Sequence, residues 1–297
     1  MSTFKQDFNY VWNKPNNSLI RIIIINVAIF LAVNFVYLIS PSFFKDILYN
    51  LMIPSNLGTL AFKPWTIITS FFTHEGFRHI FWNMLMLYWF GVIFTEFLQN
   101  RKLIAVYILG GLAGGITYVL CVNFIPAFAT EAGYALGASA SVNAIIVACA
   151  TLNPDYRINL FLIGPVKLKY LALVTVILSL FGLRGSNVGG DLAHLGGALM
   201  GFVYIKQYQA GSDWGAPILK ILDWFSNLTK PKTKLKVYKT GTSKAKKGAS
   251  KAGNPDQSVV DRILDKISES GYDKLTQEEK QILFRASQKK GQHRTDN

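Results

Sequence analysis

The chain has 297 residues, 51% of them hydrophobic and only 16% charged, with a formal charge of +14. A soluble domain holds about 25% charged residues, so with a mean hydropathy of +0.27 the composition is that of a membrane protein. Cys121 and Cys149 lie in apolar runs without metal or redox spacing, which argues against a disulfide framework or a zinc cluster.

The first apolar run, Leu19 to Ile39, is too long for a signal-peptide core and is followed by no small-residue cleavage site, so it is expected to be a retained span. A segment rich in aromatics and prolines follows at 40–77 and suits a partly interfacial loop. Five further spans are predicted at about 78–98, 102–122, 137–152, 168–183 and 190–208. A crossing needs about 20 apolar residues. The fourth candidate spans only about 24 Å as a helix, and Asn153-Pro154 ends it, because the residue before proline avoids helical geometry. Its start is therefore expected to be recessed below the membrane surface, inside protein or beside a water-filled cavity.

Loop charge sets the orientation. Lys5, Lys14, Arg21, Arg101, Lys102, Arg157, Lys167 and Lys169 fall on one side, and Lys45, Lys63, Arg78 and Arg184 on the other. The first side is expected to be cytoplasmic, with both termini inside. The predicted fold is an all-α integral membrane bundle of six helices, N-in/C-in, with a short recessed fourth span.

Five regions follow from this reading: a cytoplasmic N-terminus at 1–18, the membrane domain at 19–210, an amphipathic helix at 211–229, a basic flexible linker at 230–255 and a small helical cytoplasmic appendix at 256–291. In the third, Trp214, Ile218, Ile221, Leu222 and Phe225 form one stripe, which suits a helix on the inner leaflet or one packed on the protein. Residues 230–251 hold nine lysines and no acid. They form either a solvated linker or a stretch drawn to anionic headgroups, at about 1 kcal/mol per basic residue. A nucleic-acid arm has the same composition, but no recognition fold accompanies it, and no nucleic-acid partner is expected. In the appendix, Ser270-Gly271 stops a first helix, and Thr276 with Glu279 starts a second through a capping box.

Polar residues inside spans are costly and point to function. His79 near the start of span two, Ser139 near the start of span four and His194 near the start of span six fall within about one turn of the same depth. Asn83 lies one turn deeper than His79 on the same face, and His74 just precedes the span. Each has a plainer reading. A lone serine often bonds back to its own helix, and "GASA" and "GALMG" suit close helix contact through small residues. Gly197 and Gly201 should let span six approach a neighbour, and if that neighbour is span four, His194 nears Ser139. In "GASAS" the second hydroxyl, Ser141, lies about 200° round the helix from Ser139, so it is expected to pack or to bond to its own helix. "HEGFRH" sets its histidines about 140° apart on a helix, against about 40° for an i, i+4 zinc pair, so neither metal nor cofactor is expected. A transporter would show internal repeats and midplane charges, and neither is present.

The order His74-x4-His79-x3-Asn83, Gly137-x-Ser139 and "AHLGGALMG" around His194 resembles the rhomboid family of intramembrane serine proteases, over roughly residues 19–208. Glu96 near the inner end of span two and the glycine-spaced "LGGLAGG" of span three resemble it too. The resemblance implies a Ser–His dyad, with Ser139 as nucleophile and His194 as general base. Oxyanion donors come from His79, Asn83 and the Ser139 N–H, with Gly137 and His74 in support. It also implies single-span membrane substrates cut near their outer end, and a multi-pass protein of the bacterial inner membrane whose site opens toward the outer face. The alternative is a catalytically weak or inactive rhomboid-like protein that binds membrane clients. Three positions depart from the family pattern. Ala140 follows the serine where glycine is commonest. Asn143 replaces a usual aromatic and offers a hydrogen bond to orient His194. Thr66 follows Trp65, which resembles an outer-loop anchor, where arginine is usual.

Overall fold

The computed structural model describes residues 3–160, 163–229, 257–272 and 275–292. The basic linker expected at 230–255 lies outside the described residues. The chain divides into two compact units, Met1–Lys232 and Thr233–Asn297.

The first unit opens with α1 (Phe4–Asn13), a helix the sequence reading did not anticipate, and α2 (Ser18–Ile39). Ser40 ends α2 and begins α3 (Pro41–Leu51), its Oγ accepting from the Phe43 N–H at 3.3 Å, with Pro41 preset for the first helical position. A strand β1 (Ile53–Pro54) leads to the short helices α4 (Leu57–Phe62) and α5 (Thr66–Thr69) and a 3-10 turn at Ser70–Phe72. So the 40–77 segment is mostly short helices. The helices α6 (Phe77–Phe97) and α7 (Asn100–Phe124) follow, then a 3-10 turn at Pro126–Glu131 and β2 (Tyr134–Ala135). After these come α8 (Ser139–Leu152), β3 (Arg157–Leu160), β4 (Gly164–Lys167), α9 (Leu168–Gly182), α10 (Val188–Gln209) and α11 (Ala216–Thr229).

Four of these helices are long and apolar enough to cross a membrane: α2, α6, α7 and α10. α8 and α9 are apolar but shorter, at 14 and 15 residues. Fourteen residues give about 21 Å of helix. Gly137 has φ +117°, outside helical geometry, so α8 starts two residues later than the sequence reading put it.

The described chain is mostly helical, in line with the expected bundle, but its loops are not all irregular. Two antiparallel ribbons are present: β1 with β2, pairing Ile53 with Ala135, and β3 with β4, pairing Arg157 with Lys167. Loop backbone near a bundle must still find partners for its N–H and C=O groups, and two short ladders supply them.

The core lies where α7, α8 and α10 meet. α8 is enclosed on most of its surface, with Ala140, Ala144, Ile145, Ala148 and Cys149 all buried. Small residues make this approach possible. A Cβ at Gly110 would overlap the Ala144 side chain, and one at Gly114 the Ala140 side chain. A Cβ at Gly197 or Gly201 would overlap the carbonyl of Ala140 or Ala144. Backbones this close gain dispersion contacts that side chains would otherwise hold apart. By contrast, Leu31, Phe35 and Leu38 of α2 and Leu173, Leu178 and Phe181 of α9 are exposed, an apolar outer surface that suits lipid rather than water.

α11 sits at the start of α7. Arg101 pairs with Asp223 at 2.6 Å and Lys102 with Asp213, while Gly215 packs tightly over Ala105. Ile221, Trp224, Phe225 and Leu228 of α11 stay exposed.

The second unit contains α12 (Gln257–Ser270) and α13 (Gln277–Gln292). Gly271, at φ +83°, stops α12. The Thr276 N–H donates to Glu279 Oε2 at 2.8 Å, and the Glu279 N–H donates to Thr276 Oγ1 at 3.3 Å, the reciprocal pattern of a capping box. Lys266 of α12 bonds the same carboxylate at 2.8 Å.

Candidate active site

A cleft of about 880 Å³ opens at the N-terminal ends of α6, α8 and α10 and the C-terminal end of α9. His79, Asn83, Ser139, Asn143 and His194 all line it. Its size falls in the range of ligand-binding clefts.

At its centre Ser139 Oγ lies 2.7 Å from His194 Nε2. Ser139 is the first residue of α8, so its hydroxyl projects from the helix start and its N–H has no acceptor within the helix. The helix dipole favours negative charge at that point. His194 arrives from the second turn of α10, brought close by the Gly197 and Gly201 contacts with α8.

The polarity of the hydrogen bonds around His194 follows from its other neighbours. Ser179 of α9 donates its only hydroxyl proton to the Thr175 carbonyl at 3.0 Å. Its oxygen, 3.5 Å from His194 Nδ1, can then act only as an acceptor. Asp191 Oδ1 lies at the same 3.5 Å from Nδ1. Acceptors on that side favour the tautomer with the proton on Nδ1, which leaves Nε2 to accept from Ser139.

Asn143 does not join this set. Its amide donates to the Ser139 carbonyl at 3.0 Å within its own helix, and both His194 nitrogens already face other groups. The expectation that Asn143 bonds His194 is therefore corrected. An amide four residues along a helix reaches back to the i−4 carbonyl more readily than across to a neighbouring helix.

His79 packs against the Gly137 backbone. A Cβ at Gly137 would stand 2.6 Å from His79 Nε2, and the φ of +117° there suits glycine alone. Asn83 donates to the His79 carbonyl at 2.8 Å and, with two N–H groups, keeps one for the cleft. His74 is buried and accepts from the Ala138 N–H at 3.3 Å through Nε2. Its ring meets that of His79 edge-on, with centroids 5.1 Å apart. Burial first, and the neighbouring His79 second, push the His74 pKa down to about 3, while the Phe72 carbonyl opposes the shift. His74 is thus neutral and serves as an acceptor that holds the turn before Ser139. The same turn is tied again by Gly137 N–H to Ser70 O at 2.9 Å. The Ser70–Phe72 turn is itself anchored by the buried Tyr107 hydroxyl, which donates to Phe71 O at 2.8 Å and accepts from Asn26.

The remaining singled-out residues lie in support positions. Trp65 donates its indole N–H to Asn50 O at 2.8 Å, and the Thr66 hydroxyl bonds Lys63 O at 2.6 Å, so Thr66 serves its local turn. Glu96 accepts from the Tyr156 hydroxyl at 3.0 Å. Ser141 Oγ is buried against Gly111 without a hydrogen-bond partner. It packs, and does not bond to its own helix.

Ser179 and Asp191 went unnoticed in the sequence. Asp191 had a readable signal, since it lies one turn before His194 in the run "DLAHL". Ser179 is one hydroxyl in an apolar span and had none.

A rhomboid domain model matches residues 61–208, and a family of unknown function (DUF6576) matches residues 252–289. Among similar proteins, RHOMBOID-like protein 12, mitochondrial, of Arabidopsis thaliana is 30% identical over 49% of this chain and 47% of its own length. Rhomboid protein 1, mitochondrial, of Saccharomyces cerevisiae is 27% identical over 66% of this chain and 55% of its own. Inactive RHOMBOID-like protein 8 of Arabidopsis thaliana is 29% identical over 37% of this chain and 36% of its own. The chain thus spans about half or less of the length of these curated relatives.

The mitochondrial names of the first two overturn the expectation of a bacterial inner membrane. No residue had specified which bilayer: apolar spans and loop charge read alike in both. With the motif residues gathered round one cleft and the domain model matching the same stretch, the chain belongs to the rhomboid family.

Proposed function

We propose that this protein is an intramembrane serine endopeptidase that cuts membrane-spanning substrates with Ser139 as nucleophile and His194 as general base. The observation that carries this reading is the 2.7 Å contact between Ser139 Oγ and His194 Nε2 inside the cleft. A serine hydroxyl attacks a peptide carbonyl only when a base removes its proton. As Oγ bonds the carbonyl carbon, its proton passes to Nε2. His194 then returns that proton to the leaving amine, and a water molecule repeats the cycle on the acyl-enzyme.

The tetrahedral intermediate carries a negative oxygen that needs preorganised donors. The Ser139 N–H, the second Asn83 N–H and His79 supply them, and the α8 dipole adds to their effect. His74 and Gly137 hold the turn that aims them. The bundle is taken to cross the membrane six times with both termini on the basic side, and the short α8 then starts below the opposite surface. A recessed site of this kind meets a substrate helix only where it unwinds near that surface. The exposed face of α11 and the lysines of 230–251 would rest on the bilayer, the latter on anionic headgroups. The names of the relatives favour a mitochondrial membrane as its place.

The second reading, a client-binding protein without catalysis, is favoured by the relative named inactive. Reconstitution in liposomes with a single-span model substrate separates the two. The protease reading expects cleavage that disappears in His194→Ala. Binding without cleavage in the wild-type chain supports the second.

A further inference from the structure

We propose that Asp191 and Ser179 complete the catalytic unit as positioning residues, so that His194 is oriented on its Nδ1 side rather than left as part of a bare dyad. This rests on the reading of Ser139 and His194 as nucleophile and base. Both residues face His194 Nδ1 at 3.5 Å, from different helices: Ser179 from the end of α9, Asp191 from the first turns of α10. Each acts through the imidazole.

The polarity runs in one direction. The Thr175 carbonyl takes the Ser179 proton at 3.0 Å, which turns the Ser179 lone pairs toward Nδ1. The Nδ1–H is thereby held between a hydroxyl oxygen and a carboxylate, and Nε2 is left as the acceptor for Ser139. When Nε2 takes the Ser139 proton, the ring becomes cationic and Nδ1–H stays in place. A carboxylate at 3.5 Å stabilises that cation more than the neutral ring, so the gain falls on the step that forms it.

The carboxylate is also fixed in position. Gly182, the last residue of α9, leaves a slot that Asp191 fills, and a Cβ there would overlap its carboxylate. Asp191 is only partly exposed, with 15% of its side chain accessible. An acid near a helix start also has a plainer role, offsetting the helix dipole. That role predicts a change in stability and none in the state of His194, so the two are separable.

The test uses the full chain in detergent or liposomes. Asp191→Asn keeps the shape and removes the charge, and should lower kcat about tenfold with KM unchanged. That is well short of the ~10⁴-fold cost of losing the aspartate of a full triad, because this contact is long and shared. Ser179→Ala should lower kcat severalfold, and the double variant should fall further than either. The ¹⁵N spectrum of labelled histidine, with the His194 signals identified by His194→Ala, reads the arrangement without substrate. Wild-type His194 should be protonated at Nδ1, and Ser179→Ala/Asp191→Ala should shift it toward Nε2–H. Wild-type kcat in both single variants, or an unchanged ¹⁵N pattern in the double variant, overturns the proposal. A wild-type chain that cleaves nothing but shows the ¹⁵N change fails the protease reading and upholds only the orientation of His194 by these two residues.

Discussion

Gly137 and His79 occupy positions that only a glycine permits: a Cβ at residue 137 would stand 2.6 Å from His79 Nε2. Gly137→Ala therefore meets two penalties, steric displacement of His79 and a backbone at φ +117° that an alanine rarely adopts. Cleavage should fall about 10²–10³-fold, the usual cost of losing one oxyanion donor. Thermal unfolding in detergent checks that the bundle survives. An active Gly137→Ala protein would remove His79 from the oxyanion role.

Ser141 provides the complementary case. Its hydroxyl is buried without a partner, beside the residue proposed to react. Ser141→Ala removes an unsatisfied polar group, which costs a fold about 1–3 kcal/mol when left unmade. The variant should be as stable as the wild type or more so, and cleavage should stay within twofold. Both are read from melting temperature and initial rate.

The contact of α10 with α8 sets the distance between His194 and Ser139. Gly197→Ala would push its Cβ into the Ala140 carbonyl, one residue after the proposed nucleophile. Overpacking of this kind costs about 1–3 kcal/mol, and rate should fall more than stability because the 2.7 Å contact opens. Gly76→Ala, where a Cβ meets nothing within 4 Å, is the control and should leave both within normal error.

His74 predicts a pH dependence of stability. In the folded protein its pKa is held down to about 3 by burial, against an ordinary value of 6.5. Below pH 6.5 the unfolded chain gains a proton that the native chain refuses, so stability should decline as the pH falls from 6.5 toward 3. Melting temperature measured across that window should drop less steeply in His74→Gln, which still offers an acceptor to the Ala138 N–H.

Much of this arrangement was legible in the residues because it depends on local rules. The end of α8 at Leu152 follows from Pro154, and the Thr276–Glu279 box follows from its spacing. Small residues and shared depth allowed Ser139 and His194 to meet if α10 packed on α8, and the family resemblance singled out the pair. What stayed hidden depends on which helix lies beside which. Ser179 has no local signature and matters only because α9 ends against the start of α10. Asn143 was misread because a residue's neighbours across a bundle are not contained in its spacing, whereas its own i−4 carbonyl is always within reach. The β1–β2 ribbon pairs residues some eighty positions apart, a non-local contact between two-residue strands too short to carry an alternating pattern.

The central claim is that Ser139 is a nucleophile activated by His194. Labelling of the purified chain by a fluorophosphonate probe tests it most directly, since the reagent bonds only an activated hydroxyl and needs no substrate. The account predicts that the wild type and Ser141→Ala label at similar rates, while Ser139→Ala and His194→Ala do not label. Labelling that persists in Ser139→Ala would contradict it.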